Sequence, residues 1–226
     1  MPPPPRQPLH PTGHSPEPAS QRATASQPAT APAAALPASG PFGPGPYPET
    51  AVLVAFGATQ RQQYDQEILG AAIRWNVDPF LLKGLLYSES RFRARQVNRR
   101  TGAAGIAQLT ARGRRGVAQL RRRRGDPSGF SLRRALDPKH AIPAAAELLA
   151  LYSRRYGLDG AIVAYNAGPR GGRLVRDQGF WPARPRVGPF LLVVLRHTNR
   201  YRTAAGLPPL PLPPVPASQP ATGPAS

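Results

Sequence analysis

The sequence has no cysteine, one methionine, two tryptophans and only 11 acidic residues among 226. Without cysteine there can be no disulfide and no thiolate zinc site, and the four histidines are scattered, so neither a metal nor another cofactor is expected. Long hydrophobic runs are also missing. The stretch Ala51–Phe56 is far shorter than the roughly 20 residues a membrane helix needs, and its ordinary reading is a short core-packing segment. The chain opens on Pro2-Pro3-Pro4-Pro5 rather than on a basic start and an apolar run, so no usual secretory signal is visible.

Proline and arginine are abundant. Of the 31 prolines, fifteen lie in residues 1–48 and eight in residues 207–226. These ends have too little apolar surface to offset chain entropy and are expected to be disordered. The boundaries read as a Pro/Ala-rich segment over 1–57, one domain over 58–206 and a Pro-rich tail over 207–226. About 150 residues suffice for a single core. The net charge of +19 implies a polyanionic neighbourhood, which charge alone cannot identify as nucleic acid, a membrane face or a cell envelope.

Within the domain the apolar spacing is helical throughout. Ile68, Leu69, Ala72 and Ile73 form one stripe. Asp78-Pro79 is a cap-plus-proline start for a helix running to about Ser90. The stretch 91–124 holds twelve arginines and no acid, and it reads as a loop followed by a basic amphipathic helix. Asp137-Pro138 repeats the cap, with an Ala-rich helix bent near Pro143 and ended by Gly157. Asp159 is expected to cap a short helix through Ala167, and Phe190 to Tyr201 forms the last helix. The class is all-α.

Extending the stripe Leu82, Leu85, Leu86 by three residues lands on Glu89, which puts a carboxylate on an apolar helix face near the carbonyl end of the helix. Burial there would raise its pKa towards the range of a general acid. Periodicity alone leaves a second reading open, in which Glu89 turns to solvent or pairs with an adjacent arginine. Glycosidases generally need two carboxylates. The other acids of the domain give no persuasive partner: Asp78, Asp137 and Asp159 read as caps, Asp65, Glu67 and Glu147 sit on helices, and Asp126 and Asp177 read as loop residues.

Three ordered blocks surround these residues: Ser88-Glu89-Ser90-Arg91-Phe92, then Gly102-Ala103-Ala104-Gly105-Ile106-Ala107-Gln108-Leu109-Thr110, then Ala164-Tyr165-Asn166-Ala167-Gly168-Pro169. Together they resemble the signatures of the lytic transglycosylase family over about residues 62–202. The resemblance implies a lysozyme-like helical fold and a peptidoglycan glycan strand as substrate. It implies Glu89 as the single catalytic acid/base and formation of a 1,6-anhydromuramic product. It also implies sugar contacts by Ser90, Asn98, Gly105, Gln108, Thr110, Tyr165 and Asn166.

Each contact also has a chemical reading. Glycines at 102 and 105 let backbone approach a sugar, Gln108 offers a donor and an acceptor, and Tyr165 offers a ring face and a hydroxyl that could reach Glu89 or the sugar. Asn166 reads equally as a tie between backbone segments at the helix end. The family's loop serine is replaced by Asn98-Arg99-Arg100-Thr101, and its usual methionines by Ala107 and Thr110. The resemblance places the protein in the bacterial envelope or periplasm, with the arginines holding it to an anionic envelope surface and no nucleic-acid partner. Rival readings are a lysozyme-type hydrolase on the same fold and a non-catalytic binder of polyanions or nucleic acid.

Overall fold

The computed structural model describes residues 49–57, 63–179 and 187–213. These form α1 (Glu49–Gly57), α2 (Asp65–Trp75), α3 (Pro79–Ser90), α4 (Ala111–Arg123), α5 (Leu132–Ala135), α6 (Pro138–Ala167), α7 (Pro169–Gln178) and α8 (Val187–Ala204). Among the described residues there is no strand, only isolated bridge pairings of Ala104 with Val97 and with Leu109. The all-α expectation holds.

Helix α3 starts where Asp78 Oδ1 accepts the amides of Phe80 and Leu81 at 2.8 and 3.1 Å, ahead of Pro79 in the first turn. Its residues Phe80, Leu81, Leu82, Leu85 and Leu86 are fully buried, and it packs against α8, α2 and α6. Two buried ion pairs fix this position. Lys83, with no exposed surface, donates from Nζ to Asp65 Oδ1 at 2.6 Å and to the Phe56 carbonyl at 3.3 Å. Its ammonium also lies 4.1 and 5.1 Å from the ring centres of Phe56 and Tyr201, so one cation joins α1, α2 and α8 to α3. Arg202 near the end of α8 pairs with Asp78 at the start of α3.

Thr110 caps α4 by accepting the Gly113 amide at 3.2 Å, and only Val117 and Ala118 of that helix are buried. Asp137 caps α6 through the Lys139 amide at 3.0 Å. The break in α6 falls at Gly157 (φ 72°, ψ −173°) and not at Pro143, whose surroundings keep helical dihedrals. That conformation is open to glycine and barred to residues with a Cβ. Asp159 makes no capping hydrogen bond among the described residues: it lies in the turn after the break, where burial raises its pKa.

The domain is wider at both ends than composition suggests. The segment bounded at residue 57 includes α1, whose Val52, Ala55 and Phe56 lie in the core, in line with the core-packing reading of Ala51–Phe56. At the other end Leu207 and Leu210 pack on the core, and Asn199 exchanges two hydrogen bonds with the Leu210 backbone at 2.9 and 2.7 Å. Arg202 Nε reaches the Pro208 carbonyl. A few apolar residues with side-chain partners therefore outweigh the proline-rich surroundings. The head through residue 48 and the tail from residue 214 lie outside the described residues.

Candidate active site

Ser90 ends α3, and Arg91 and Phe92 follow in the left-handed conformation (φ 53° and 62°), which turns the chain away at once and leaves Glu89 in the last helical turn. Phe92 is buried edge-on against Tyr87 and Tyr64, with ring centres 5.6 and 6.4 Å apart, and this anchors the turn. The Ser90 hydroxyl donates to the Ile106 carbonyl at 2.8 Å and so ties α3 to the 102–110 loop. Ser90 is 3% exposed, so its expected contact with sugar is replaced by this tie.

The loop is built from backbone. Gly105 (φ 78°) donates its amide to the Gln96 carbonyl at 2.8 Å, and Leu109 donates to Ala104 at 3.1 Å. A Cβ at position 105 would lie 1.7 Å from the Ala135 carbonyl oxygen. The close approach expected of Gly105 is therefore made to the end of α5 and not to a glycan, because the residue is buried beneath the loop. Gly105→Ala should combine a positive-φ penalty with a backbone clash and cost about 3 kcal/mol or more. Thermal melting of the variant checks this; an unchanged melting temperature would contradict it.

Glu89 lies on a groove of about 1290 Å³ whose lining includes Asn98, Gln108, Thr110, Tyr165 and Asn166. Six of the eight residues singled out in the sequence thus share one groove. Glu89 is the only acid among the lining residues. No ion pair or hydrogen bond to its carboxylate is found among the described residues, and burial alone pushes its pKa up to about 8. The alternative in which Glu89 pairs with an arginine is not realised.

Of the other groove residues singled out in the sequence, all but Asn166 have partners that define their roles. Asn98 Oδ1 accepts the amides of Arg100 and Thr101 at 3.0 and 3.1 Å, so its side chain shapes the turn. Gln108, itself at φ 45°, spends its amide group on the carbonyls of Gly105 and Gln96 at 2.9 and 3.2 Å. Thr110 is the α4 cap. Asn166 is exposed at the groove and has no hydrogen bond among the described residues. The Tyr165 hydroxyl donates to the Ala107 carbonyl at 2.9 Å, not to Glu89, which joins α6 to the loop. Burial, with the nearby Glu89 adding to it, holds the phenol well above its ordinary pKa, so that proton stays in place.

Tyr165→Phe leaves the Ala107 carbonyl without its donor and should cost about 1 kcal/mol, about 2–4 °C in melting temperature, along with a loss of turnover. A variant with wild-type melting and turnover would assign Tyr165 to packing alone.

Groove residues that escaped the sequence reading include Gln96, Tyr152, Phe190 and the α4 arginines Arg112, Arg115 and Arg122. Gln96 lies between the blocks and Tyr152 mid-helix, where nothing marks them. Arg112 was hidden in a run of like residues, although its helical spacing to Arg115 and Arg122 was readable.

Solved structures that share this architecture include two lytic transglycosylases. The 70 kDa soluble lytic transglycosylase of Escherichia coli aligns with a TM-score of 0.52 and 17% identity over 68% of this chain and 30% of its own. An inactive mutant of the lytic transglycosylase Slt of Pseudomonas aeruginosa aligns with a TM-score of 0.52 and 17% identity over 70% of this chain and 28% of its own. The chain thus spans less than a third of either protein, and at this identity the likeness shows the fold. Residues 66–179, just over half of the chain and including Glu89, the Gly105 loop and Tyr165, match the family model described as the transglycosylase SLT domain. The chain belongs to the transglycosylase SLT domain family.

Proposed function

We propose that the protein is a peptidoglycan lytic transglycosylase that cleaves the β-1,4 bond between N-acetylmuramic acid and N-acetylglucosamine, with Glu89 as its single acid/base. The observation that carries this reading is a lone carboxyl in the groove, unpaired and held protonated up to about pH 8. A neutral carboxyl can give its proton to the glycosidic oxygen as the bond from C1 breaks and positive charge develops on the sugar. The resulting carboxylate sits beside that charge. It then takes the proton of the muramic C6 hydroxyl as O6 closes on C1, which yields the 1,6-anhydro ring and restores the acid. No water is consumed.

A second carboxylate is needed when an enzyme must activate water or form a covalent glycosyl intermediate. Closure by the sugar's own hydroxyl needs neither, which suits a groove lined by one acid. The reading places the protein at the bacterial envelope, where its substrate is found.

The acid must be protonated in the free enzyme. Cleavage of purified cell walls, measured as kcat/KM against pH, is therefore expected to hold to about pH 8 and then fall roughly tenfold per unit as Glu89 ionises. A decline beginning near pH 5 would mean that the essential acid has an ordinary carboxyl pKa and is not the desolvated Glu89.

A further inference from the structure

The arginines of α4 and its C-cap, Arg123 apart, divide into two sets by what they touch. Arg114 donates to the carbonyls of Gly102 and Leu109 at 3.2 and 2.8 Å. Arg121 stacks over Phe130, with 5.0 Å to the ring centre. Arg124 pairs with Glu147 at 2.6 Å and lies over Trp75. These three hold the helix and its end to the domain. Arg112, Arg115 and Arg122 instead line the groove that contains Glu89, at spacings of three and seven residues that set them along one side of the helix. Arg100 lines it too, from the facing loop.

No salt bridge among the described residues involves these four. Among the described residues the only acid on the groove is Glu89, whose pKa burial pushes up to about 8. The groove therefore presents about four guanidinium groups with no internal counter-charge. Hydroxyl and N-acetyl groups do not call for this, since neutral donors and acceptors suffice for them. Planar guanidinium forks match carboxylates.

We propose that Arg112, Arg115 and Arg122 form a subsite for the free carboxylates of the peptides carried by the glycan, so that the groove selects strands with charged, uncapped peptide substituents. This rests on the reading of the groove as a glycan site. Arg123, also on α4 and exposed, does not line the groove and belongs to the general positive surface.

The test measures binding and cleavage separately, using the full chain. One preparation of cell-wall glycan is used as isolated and another after its carboxylates are converted to methylamides, which leaves the sugars intact. Binding to the native form is expected to be about tenfold tighter than to the amidated form. The triple variant Arg112→Gln/Arg115→Gln/Arg122→Gln should lose that preference while Arg123→Gln keeps it. The substituted residues are exposed, and their side chains make no hydrogen bond or ion pair among the described residues, and an unchanged thermal melt confirms that the variant folds. Equal binding of both preparations by the wild type overturns the subsite, whatever cleavage does. Tighter binding to duplex DNA than to native glycan, lost in the same triple variant, also overturns it in favour of a general polyanion surface. Carboxylate-dependent binding without cleavage would overturn the enzymatic reading and leave the subsite standing.

Discussion

Glu89→Gln is expected to abolish cleavage of cell-wall glycan while the fold and glycan binding persist. Gln matches Glu in size and hydrogen-bonding shape but can neither donate nor accept the catalytic proton. General acid–base assistance is worth about 10²–10⁴ in rate. Among the described residues no other carboxyl lines the groove to take over, so the loss should lie at or beyond the upper figure. Stability should change in the opposite sense. The folded state holds the Glu89 proton up to about pH 8, whereas the unfolded chain releases it near the ordinary value of 4.5. Between those limits the folded state binds more protons, so the wild type loses stability as pH rises through this window. The Gln variant has no such term. Melting temperatures should coincide near pH 4 and separate upward to pH 8.5, where the variant should be more stable by about 1–3 kcal/mol. Identical melting curves across this range would show that Glu89 is not desolvated.

Lys83→Ala should be the most damaging single change in the core. It removes a cation that Asp65, the Phe56 carbonyl and two aromatic rings share, and it leaves Asp65 buried without a partner. Breaking one side of a buried pair costs about 3–5 kcal/mol, or about 6–20 °C in melting temperature for a domain of this size. Replacing both partners with apolar residues of similar volume, as in Lys83→Met/Asp65→Leu, should recover most of the loss, since the pair itself is near neutral once its desolvation is counted. A Lys83→Ala protein that melts within 2 °C of wild type, or a double variant worse than the single, would contradict this view of the ion pair.

The contrast between these two residues shows what the sequence made legible. Glu89 extends an apolar stripe and sits inside a family signature, so both its place and its lack of a partner acid could be read. Lys83 also interrupts apolar neighbours, but a lysine on a helix ordinarily lies in solvent, and its partners are 18 and 27 residues away. Only the packing of α1 and α2 around α3 shows that it is buried. Helix starts at Asp78 and Asp137 were readable because a cap acts within three residues. Asp159 failed as a cap because Gly157 sets the chain direction first, and α7 was missed because Gly171 and Gly172 weaken its helical signal.

The site residues divide along the same line. Groove membership of Glu89, Gln108, Thr110, Tyr165 and Asn166 was legible from the blocks, and that of Asn98 from the loop that replaces the family's serine. Their individual partners were not. Ser90 and Gly105 are fixed in the blocks for reasons internal to the protein, a hydroxyl tie to Ile106 and a backbone approach to Ala135. A signature records that a residue type is required without recording whether the requirement comes from substrate or scaffold. The α4 arginines show the reverse case, in which composition announced a positive surface but only the fold separates anchoring guanidinium groups from those on the groove.

The central claim, that a single carboxyl drives ring closure by the sugar's own hydroxyl, is tested most directly by mass spectrometry of the muropeptides released from purified cell walls by wild type and Glu89→Gln. The account predicts 1,6-anhydromuramic ends from the wild type, each lighter by one water than a reducing end, and none from the variant. Reducing-end muramic acid from the wild type would contradict ring closure and place the enzyme among hydrolases, and equal release by the variant would remove Glu89 from the chemistry.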